Sequence, residues 1–297
     1  MDAGALMSEK VKSACVSRGA ALMAVLNVTP DSFYDGGRYA TQVAIEQRIE
    51  QMIAQGADIV DIGAESTRPG APQISAAEQL DRARPAISAA KAQGMLISID
   101  TTSAEVAAEA IACGAHMVND VSLLSDPALP GVVAASETVL IAMHNRGLMA
   151  EMPGFSNYAD DGYEDVVADV RGEWLAARDR ALGLGVAPSR IWFDPGLGFY
   201  KNAQHSTELL ARLAEFSDLG HPIVVGASRK SFLGALDDSP PDQRLASSLI
   251  AATHAVAAGA SVLRVHDVRE TAQALLAARA LSSCTKVRSS SQKVLHA

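Results

Sequence analysis

Residues 41–63, with the sequence TQVAIEQRIEQMIAQGADIVDIG, contain one complete unit of a helix followed by a strand. Four apolar side chains of its first part recur at the spacing of one helix face: Ile45, Ile49, Met52 and Ile53. Gly56 is predicted to stop this helix. The run 57–63 is apolar almost throughout, and continuous apolar runs are typical of strands that are buried on both faces of a parallel sheet.

Other runs of the same kind occur along the chain. They are 21–28, 95–100, 116–120, 138–144, 191–196, 222–228 and 261–266. Stretches rich in Ala and Leu with helical spacing separate them, and Gly114 and Gly259 stand before two of the strands as further helix stops. We therefore predict an α/β protein with a single domain, a (β/α)8 TIM barrel. An open doubly wound sheet is the structural alternative at this point.

Composition sets the domain boundaries and excludes several classes of protein. We expect a flexible leader at 1–18, a catalytic barrel at 19–282 and a disordered, Ser-rich and basic tail at 283–297. The irregular stretch 145–160 is predicted to be a mobile loop over the site. A formal net charge of -9 argues against a nucleic-acid surface, and no apolar run is long enough to cross a membrane. The 3 cysteines are far apart, which fits a reduced, cytoplasmic compartment.

Polar side chains follow every predicted strand, where a barrel of this kind places its active site. Asp100, Asn119 and Asp194 offer acceptors for a flat heterocycle with several N–H donors. A metal pair is the alternative, but neither Asp has a His or Glu at ligand spacing.

A second group of strand-end residues is cationic and predicts a bound anion, because arginine forks match phosphate oxygens. Its members are Arg68, Arg229, Lys230, Arg264 and His266. The run 228–231 is also expected to open a helix, and a helix N-terminus favours an anion. Solvated surface charge is the alternative interpretation, most of all for Arg229.

Eight segments, in order from about residue 20 to 280, resemble the signature of the dihydropteroate synthase family. They are LNVTPDSFYDGG (26–37), DIGAESTRPG (61–70), SIDTT (98–102), VNDVS (118–122), AMHNRG (142–147), DPGLGFYKNAQH (194–205), GASRKSFLG (226–234) and LRVHDV (263–268). The resemblance implies a transferase of folate biosynthesis that condenses 6-hydroxymethyl-7,8-dihydropterin diphosphate with 4-aminobenzoate, giving dihydropteroate and pyrophosphate. It also implies Mg²⁺ as cofactor, sulfonamides as inhibitors and a homodimer formed through the last helices.

The resemblance assigns residues of this chain to three subsites. The pterin site would contain Asp100, Asn119, Met143, Asp194, Gly226 and Lys230. The diphosphate site would contain Asn27, Thr67, Arg68, Arg264 and His266, with Asn27 near Mg²⁺. The 4-aminobenzoate pocket would contain Phe33, Thr67, Pro69, Phe199 and Ser231, while Asp31 and Asp35 would close over the leaving group. Lys230, Arg264, His266 and Asp100 are the residues expected to act in catalysis.

The chain departs from the family pattern at Tyr34, Tyr200 and Ser206, and the loop Asn-Arg-Gly-Leu-Met after His144 is a looser match to it. They stand beside the expected contact residues, so they bear on affinity and drug sensitivity more than on the reaction. Two other functions share the barrel and the pterin carboxylates. One is a methyltransferase that uses methyltetrahydrofolate and a corrinoid protein, and the other is a pterin-binding paralogue without activity.

Overall fold

The computed structural model describes residues 3–29, 42–65, 74–147, 151–152 and 154–292. Its strands are β1 (Ala21–Asn27), β2 (Ile59–Gly63), β3 (Leu96–Asp100), β4 (Met117–Asp120), β5 (Val139–Met143), β6 (Ile191–Asp194), β7 (Val224–Val225) and β8 (Val262–Val265). They pair in parallel in the order β6-β5-β4-β3-β2-β1-β8-β7. One parallel bridge between Phe193 and Ile223 joins β6 to the chain just before β7. The sheet is therefore a barrel, as predicted, and this bridge closes it.

Helices lie between the strands and around them. They are α1 (Ala3–Arg18), α2 (Gln42–Gln55), α3 (Ala76–Ala92), α4 (Ala104–Cys113), α5 (Leu129–Ala134), α6 (Val166–Gly183), α7 (Ala203–Ala211), α8 (Ser231–Gly234), α9 (Leu245–Ala257) and α10 (Val268–Gln292). Short 3-10 helices lie at Asp160–Gly162, Pro188–Arg190, Leu213–Leu219 and Pro241–Gln243. Each crossover between consecutive strands contains at least one α-helix, which is why neighbouring strands run parallel. None of the described helices is long and apolar enough to cross a membrane.

The glycines that were predicted to stop helices do so in the left-handed backbone conformation. Gly56 has φ of 98°, Gly114 of 118° and Gly259 of 105°. A side chain at these positions would be strained, so glycine is the residue that allows the chain to leave the helix and enter the next strand.

Successive side chains of each strand point alternately out to the helices and into the barrel. The inward positions nearest the strand starts are apolar and form one cluster, which we call the lower half of the barrel. Its strand members are Ala21, Met23, Ile59, Leu96, Met117, Val139, Ile141, Trp192, Val224 and Val262. The inward positions nearest the strand ends form the upper half, which is polar. Its members include Asp61, Ser98, Asp100, Asn119, Asp194 and Arg264.

The flexible leader that was expected at 1–18 is wrong for the described residues, because helix α1 covers Ala3–Arg18. Val11 and Ala14 of this helix are buried against the lower half of the barrel. The side chain of Arg18 forms an ion pair with Asp58. The first 18 residues contain no long apolar run, and this suggested a flexible segment. Val11 and Ala14 nevertheless pack on the end of the barrel from one face of the helix.

The disordered tail that was expected at 283–297 is also wrong in part, because α10 continues to Gln292. A serine side chain in this part bonds back to a carbonyl one turn earlier, as Ser283 does to Arg279 O at 2.9 Å. This bond satisfies the hydroxyl within the helix, so a serine-rich sequence remains compatible with it. Residues 293–297 lie outside the described part of the chain.

Candidate active site

One arginine at the end of β8 joins two carboxylates in the upper half of the barrel. Arg264 Nε lies 2.7 Å from Asp61 Oδ2, and its Nη2 lies 2.8 Å from Asp100 Oδ2. Asn119 Nδ2 donates to the same Asp61 oxygen at 3.2 Å. The ends of β2, β3, β4 and β8 thus bring four functional groups into one network.

Burial dominates the electrostatics of this network. It raises the pKa of Asp100 to about 7, although the positive charge of Arg264 acts in the opposite direction. Burial by itself would lower the pKa of Arg264, but Asp61 and Asp100 raise it above its ordinary value. The two carboxylates thus hold the charge of Arg264, while burial holds the pKa of Asp100 above its ordinary value.

Asp194 and Lys230 form the other polar pair of the upper half. The backbone N–H of Gly196 donates to Asp194 Oδ1 at 2.7 Å, and Lys230 Nζ donates to the carbonyl of Leu197. Burial raises the pKa of Asp194, and Lys230 opposes this shift. Burial lowers the pKa of Lys230 to about 8, which leaves its amine close to the range in which it can exchange a proton. A side chain at Gly226 would approach Lys230 Nζ to 3.8 Å, so the glycine leaves room beside the amine.

An apolar cluster borders the polar groups. It contains Val121, Met143, Met152 and Phe199, with Phe155 and Tyr200 packed against it. The Phe199 ring lies 4.5 Å from Lys230 Nζ and 5.6 Å from the Phe155 ring. Part of the loop that was predicted to cover the site therefore packs against the mouth of the barrel. Its mobility stays a prediction.

The rim of the site is formed by the segments after β7 and β8. His266 Nδ1 lies 3.1 Å from Ser228 Oγ, and Ser231 Oγ lies 2.7 Å from Ser156 Oγ of the loop after β5. The predicted helix after 228–231 is present as α8 but has only 4 residues. Arg229, which the sequence grouped with the anion-binding cations, donates instead to Asp267, with 2.9 Å between Nε and Oδ2. Its charge is thus paired with a carboxylate of the segment after β8.

The polar groups at the ends of distant strands meet at one mouth of the barrel. Comparison with known proteins shows which family has this site. Residues 23–266 match the family described as pterin binding enzymes. The chain belongs to this family.

Curated relatives of this pterin-binding enzyme carry a more specific name. It is 45% identical over 261 residues to the dihydropteroate synthase of Mycobacterium leprae, covering 86% of this chain and 90% of the relative. It is 41% identical over 258 residues to the dihydropteroate synthase of Escherichia coli strain K12, covering 86% and 89% of the two chains. These matches place the enzyme among the dihydropteroate synthases.

Solved structures agree with this placement. The dihydropteroate synthase of Xanthomonas albilineans, solved with 4-aminobenzoic acid, superposes with a TM-score of 0.81 at 38% identity over 91% of this chain and 97% of that one. The Burkholderia cenocepacia enzyme, complexed with 7,8-dihydropteroate, gives a TM-score of 0.77 at 37% identity over 92% and 93% of the chains. The pterin-binding enzyme therefore shares the TIM barrel of both.

Several expected site residues of the enzyme lie outside the described part of the chain. They are Asp31, Phe33, Asp35, Thr67, Arg68 and Pro69, together with the departure Tyr34. The described ones that the sequence predicted do meet at the mouth of the barrel: Asp100, Asn119, Met143, Asp194, Phe199, Gly226, Lys230, Ser231, Arg264 and His266.

Asn27 ends β1 with an exposed side chain, and its Oδ1 lies near Gly63, where an added Cβ would approach to 3.1 Å. Among the described residues, no three His, Cys, Asp or Glu side chains gather closely enough to hold a metal ion. An amide oxygen at the mouth still fits Mg²⁺, because this ion commonly takes one or two protein ligands and fills its shell with water and substrate phosphates.

The sequence interpretation missed two kinds of residue. Asp61 is a carboxylate within the run 57–63, which was predicted to be a buried strand. A charged residue in a buried strand was the signal that could have identified it as a site residue. The second kind is a network below the apolar cluster, in which Lys201 Nζ lies 2.9 Å from His144 Nδ1 and His144 Nε2 lies 3.0 Å from Glu173 Oε2. Nothing in the sequence pairs these three residues, because they come from separate elements.

Proposed function

We propose that this enzyme condenses 6-hydroxymethyl-7,8-dihydropterin diphosphate with 4-aminobenzoate to give 7,8-dihydropteroate and pyrophosphate, a step of folate biosynthesis. The observation that carries the proposal is the convergence of acidic groups deep in the barrel and cationic groups at its rim. Relatives named dihydropteroate synthase over most of their length support it.

The pterin is assigned to the deep part of the upper half. Asn119 donates its amide N–H to Asp61, so its carbonyl oxygen remains to accept from a ring N–H. Asp100 and Asp194 supply carboxylate oxygens to the other donors of the ring, and Lys230 donates to an acceptor of the same ring. Met143 and Gly226 complete the walls of this pocket.

The diphosphate is assigned to the rim side of the upper half, where Arg264 lies in β8 and His266 follows this strand. In the described structure Arg264 is bound to Asp61 and Asp100. A pterin that engages Asp100 competes for that carboxylate, and one guanidinium N–H then becomes available to a phosphate oxygen. Binding of the ring would thereby prepare the site for the leaving group. The sequence assigns Thr67 and Arg68 to the same subsite.

Asn27 is the described residue that would hold Mg²⁺, which supplies neutralisation of the charge that develops on the departing diphosphate. The fit rests on its amide oxygen at the end of β1.

The 4-aminobenzoate is assigned to the space beside Phe199 and Ser231, with Phe33, Thr67 and Pro69 as further expected walls. Its amine is the nucleophile, so the protein needs no nucleophilic side chain. The residues of the site hold the amine and the pterin methylene in line, stabilise the leaving charge and exclude water.

Two further proposals concern the oligomeric state and the cellular compartment of the enzyme. Leu276 and Leu281 of α10 are 53% and 72% exposed, and Ile250 of neighbouring α9 is 72% exposed, so this apolar face is proposed to form a homodimer. Leu275 is buried and packs on the barrel instead. The three cysteines are unpaired thiols in the structure, which supports action in the reducing cytoplasm. A sedimentation experiment that finds only monomers would contradict the dimer.

Release of pyrophosphate tests the reaction directly. The purified enzyme with Mg²⁺ should release pyrophosphate only when the pterin diphosphate and 4-aminobenzoate are both present, with an equal amount of dihydropteroate detected by mass spectrometry. A sulfonamide should raise the KM for 4-aminobenzoate without changing kcat. Binding of a pterin without turnover would instead support the pterin-binding paralogue without activity. Methyl transfer from methyltetrahydrofolate would support the methyltransferase.

A further inference from the structure

Lys201 is a long basic side chain that is completely buried, and none of the subsites described above uses it. Its Nζ donates to His144 Nδ1 at 2.9 Å and to the carbonyl of Phe199 at 3.1 Å. The structure gives it no carboxylate within hydrogen-bond distance among the described residues. A buried amine of this kind is costly to the fold, so it is retained for what it holds in place.

Lys201 is one end of a chain of hydrogen bonds that leads to α6. Because its amine donates to His144 Nδ1, the His144 ring carries its proton on Nε2 and donates to Glu173 Oε2 at 3.0 Å. Arg146 completes the chain, because its Nε and Nη2 both donate to Glu173, with 3.0 Å between Nε and Oε1. The loop after β6 is thus tied to the end of β5 and to α6.

The other end of this chain acts on the backbone of the aminobenzoate site. Tyr200, between Phe199 and Lys201, has φ of 47°, a strained conformation for a residue with a side chain. Lys201 holds the carbonyl before this residue, and Tyr163 Oη donates to the carbonyl of Tyr200 itself at 3.0 Å. The carbonyls of Phe199 and Tyr200, which lie on either side of the strained torsion, are therefore each held by a side-chain hydrogen bond.

Fixing this backbone also fixes the ring of Phe199. That ring lies 4.5 Å from Lys230 Nζ, and Lys230 also donates to the carbonyl of Leu197, two residues before Phe199. The segment 197–199 is thus held by two lysines, Lys230 at the carbonyl of Leu197 and Lys201 at the carbonyl of Phe199. We propose that Lys201 is a positioning residue, which holds the Phe199 backbone so that its ring forms the wall of the 4-aminobenzoate pocket. This rests on the proposed function, which assigns Phe199 to that pocket.

Burial lowers the pKa of Lys201 well below its ordinary value, with Lys230 acting in the same direction. The two acceptors around Lys201 match the two N–H groups of an uncharged amine, so the geometry and the electrostatics agree. Methionine is then a close substitute in length and polarity that lacks only the two donated bonds.

The test compares Lys201→Met with Trp174→Phe as a matched control. Trp174 is also buried. Its Nε1 donates to the carbonyl of Ala142 at 3.0 Å and its ring packs against Phe193 and His221, so it is not part of the hydrogen-bond chain of Lys201. Lys201→Met should raise the KM for 4-aminobenzoate about tenfold, while the dissociation constant of a pterin without diphosphate stays unchanged. Trp174→Phe should lower the midpoint of thermal unfolding and leave both constants unchanged.

Glu173→Gln supplies a second variant if Lys201→Met does not fold, because it weakens the anchor of His144 from a partly exposed position. A smaller rise in the same KM is expected, with pterin binding again unchanged. The proposal is overturned if the KM for 4-aminobenzoate stays at the wild-type value in the folded variants, or if Trp174→Phe raises it equally. Failure of the wild-type enzyme to turn over both substrates would instead contradict the proposed function.

Discussion

The two halves of the barrel interior both contain fully buried side chains and have opposite chemistry. Met23 in the lower half and Asp61 in the upper half are both 0% exposed. The lower half contains apolar side chains that pack against Val11 and Ala14 of α1. In the upper half Asp61 Oδ1 and Ser98 Oγ are buried and lack hydrogen-bond partners within the described structure. The lower half thus stabilises the fold, while the upper half gives up stability for a surface that can bind a polar substrate.

The largest effect that this comparison predicts is on turnover. Arg264→Lys keeps a positive charge but cannot bridge Asp61 and Asp100 with a planar fork, so kcat/KM should fall about 10²–10³-fold. Arg229→Lys is the matched control, because Arg229 is also paired with a carboxylate but lies on the rim, where the expected loss is less than about tenfold. Steady-state release of pyrophosphate measures both. Equal losses in the two variants would contradict a special role for the upper half.

A smaller effect concerns the pH dependence of stability. Burial raises the pKa of Asp100 from 3.8 to about 7, so the fold binds this proton more tightly than the unfolded chain does. The stability that this proton contributes is complete below pH 4 and is lost as the pH rises through 7. Asp100→Asn lacks this titration, so its free energy of unfolding relative to wild type should rise by about 1–3 kcal/mol between pH 5 and 8.

Urea unfolding of both proteins at four pH values measures this difference. His144, whose pKa burial lowers to about 3, titrates in the same way in both proteins and cancels in the comparison. A difference that is constant with pH, or that falls toward pH 8, would show that Arg264 outweighs the burial of Asp100.

The smallest effect belongs to the lower half. Val11→Ala removes two buried methyl groups where α1 closes the barrel, so the free energy of unfolding should fall by about 1–2 kcal/mol. Both KM values and kcat should stay at the wild-type level, because the change lies at the far end of the barrel from the substrates. Loss of activity in a stably folded Val11→Ala protein would break the division between the two halves.

The sequence predicted the strands well because parallel strands buried on both faces leave continuous apolar runs, as at 57–63. It also predicted Asp100, Asn119 and Asp194 as neighbours, because the carboxyl ends of barrel strands meet at one face. It could not pair Lys201 with His144 and Glu173, since these contacts join three elements whose packing no local pattern encodes. The prediction of a flexible leader at 1–18 was wrong for a related reason. Val11 and Ala14 are buried only because the end of the barrel packs against them, and no local pattern encodes that contact.

The closure of the barrel has a consequence for how the enzyme moves. Strand β7 has only 2 residues, and the parallel bridge from Phe193 to Ile223 is the seam that joins it to β6. Asp194 follows one side of this seam and Lys230 follows the other. A thermal opening of a few residues there would change the distance between this acid and this base while the rest of the barrel stays folded. The short strand pairing between β6 and β7 is thus also the place where a local opening would alter the binding site.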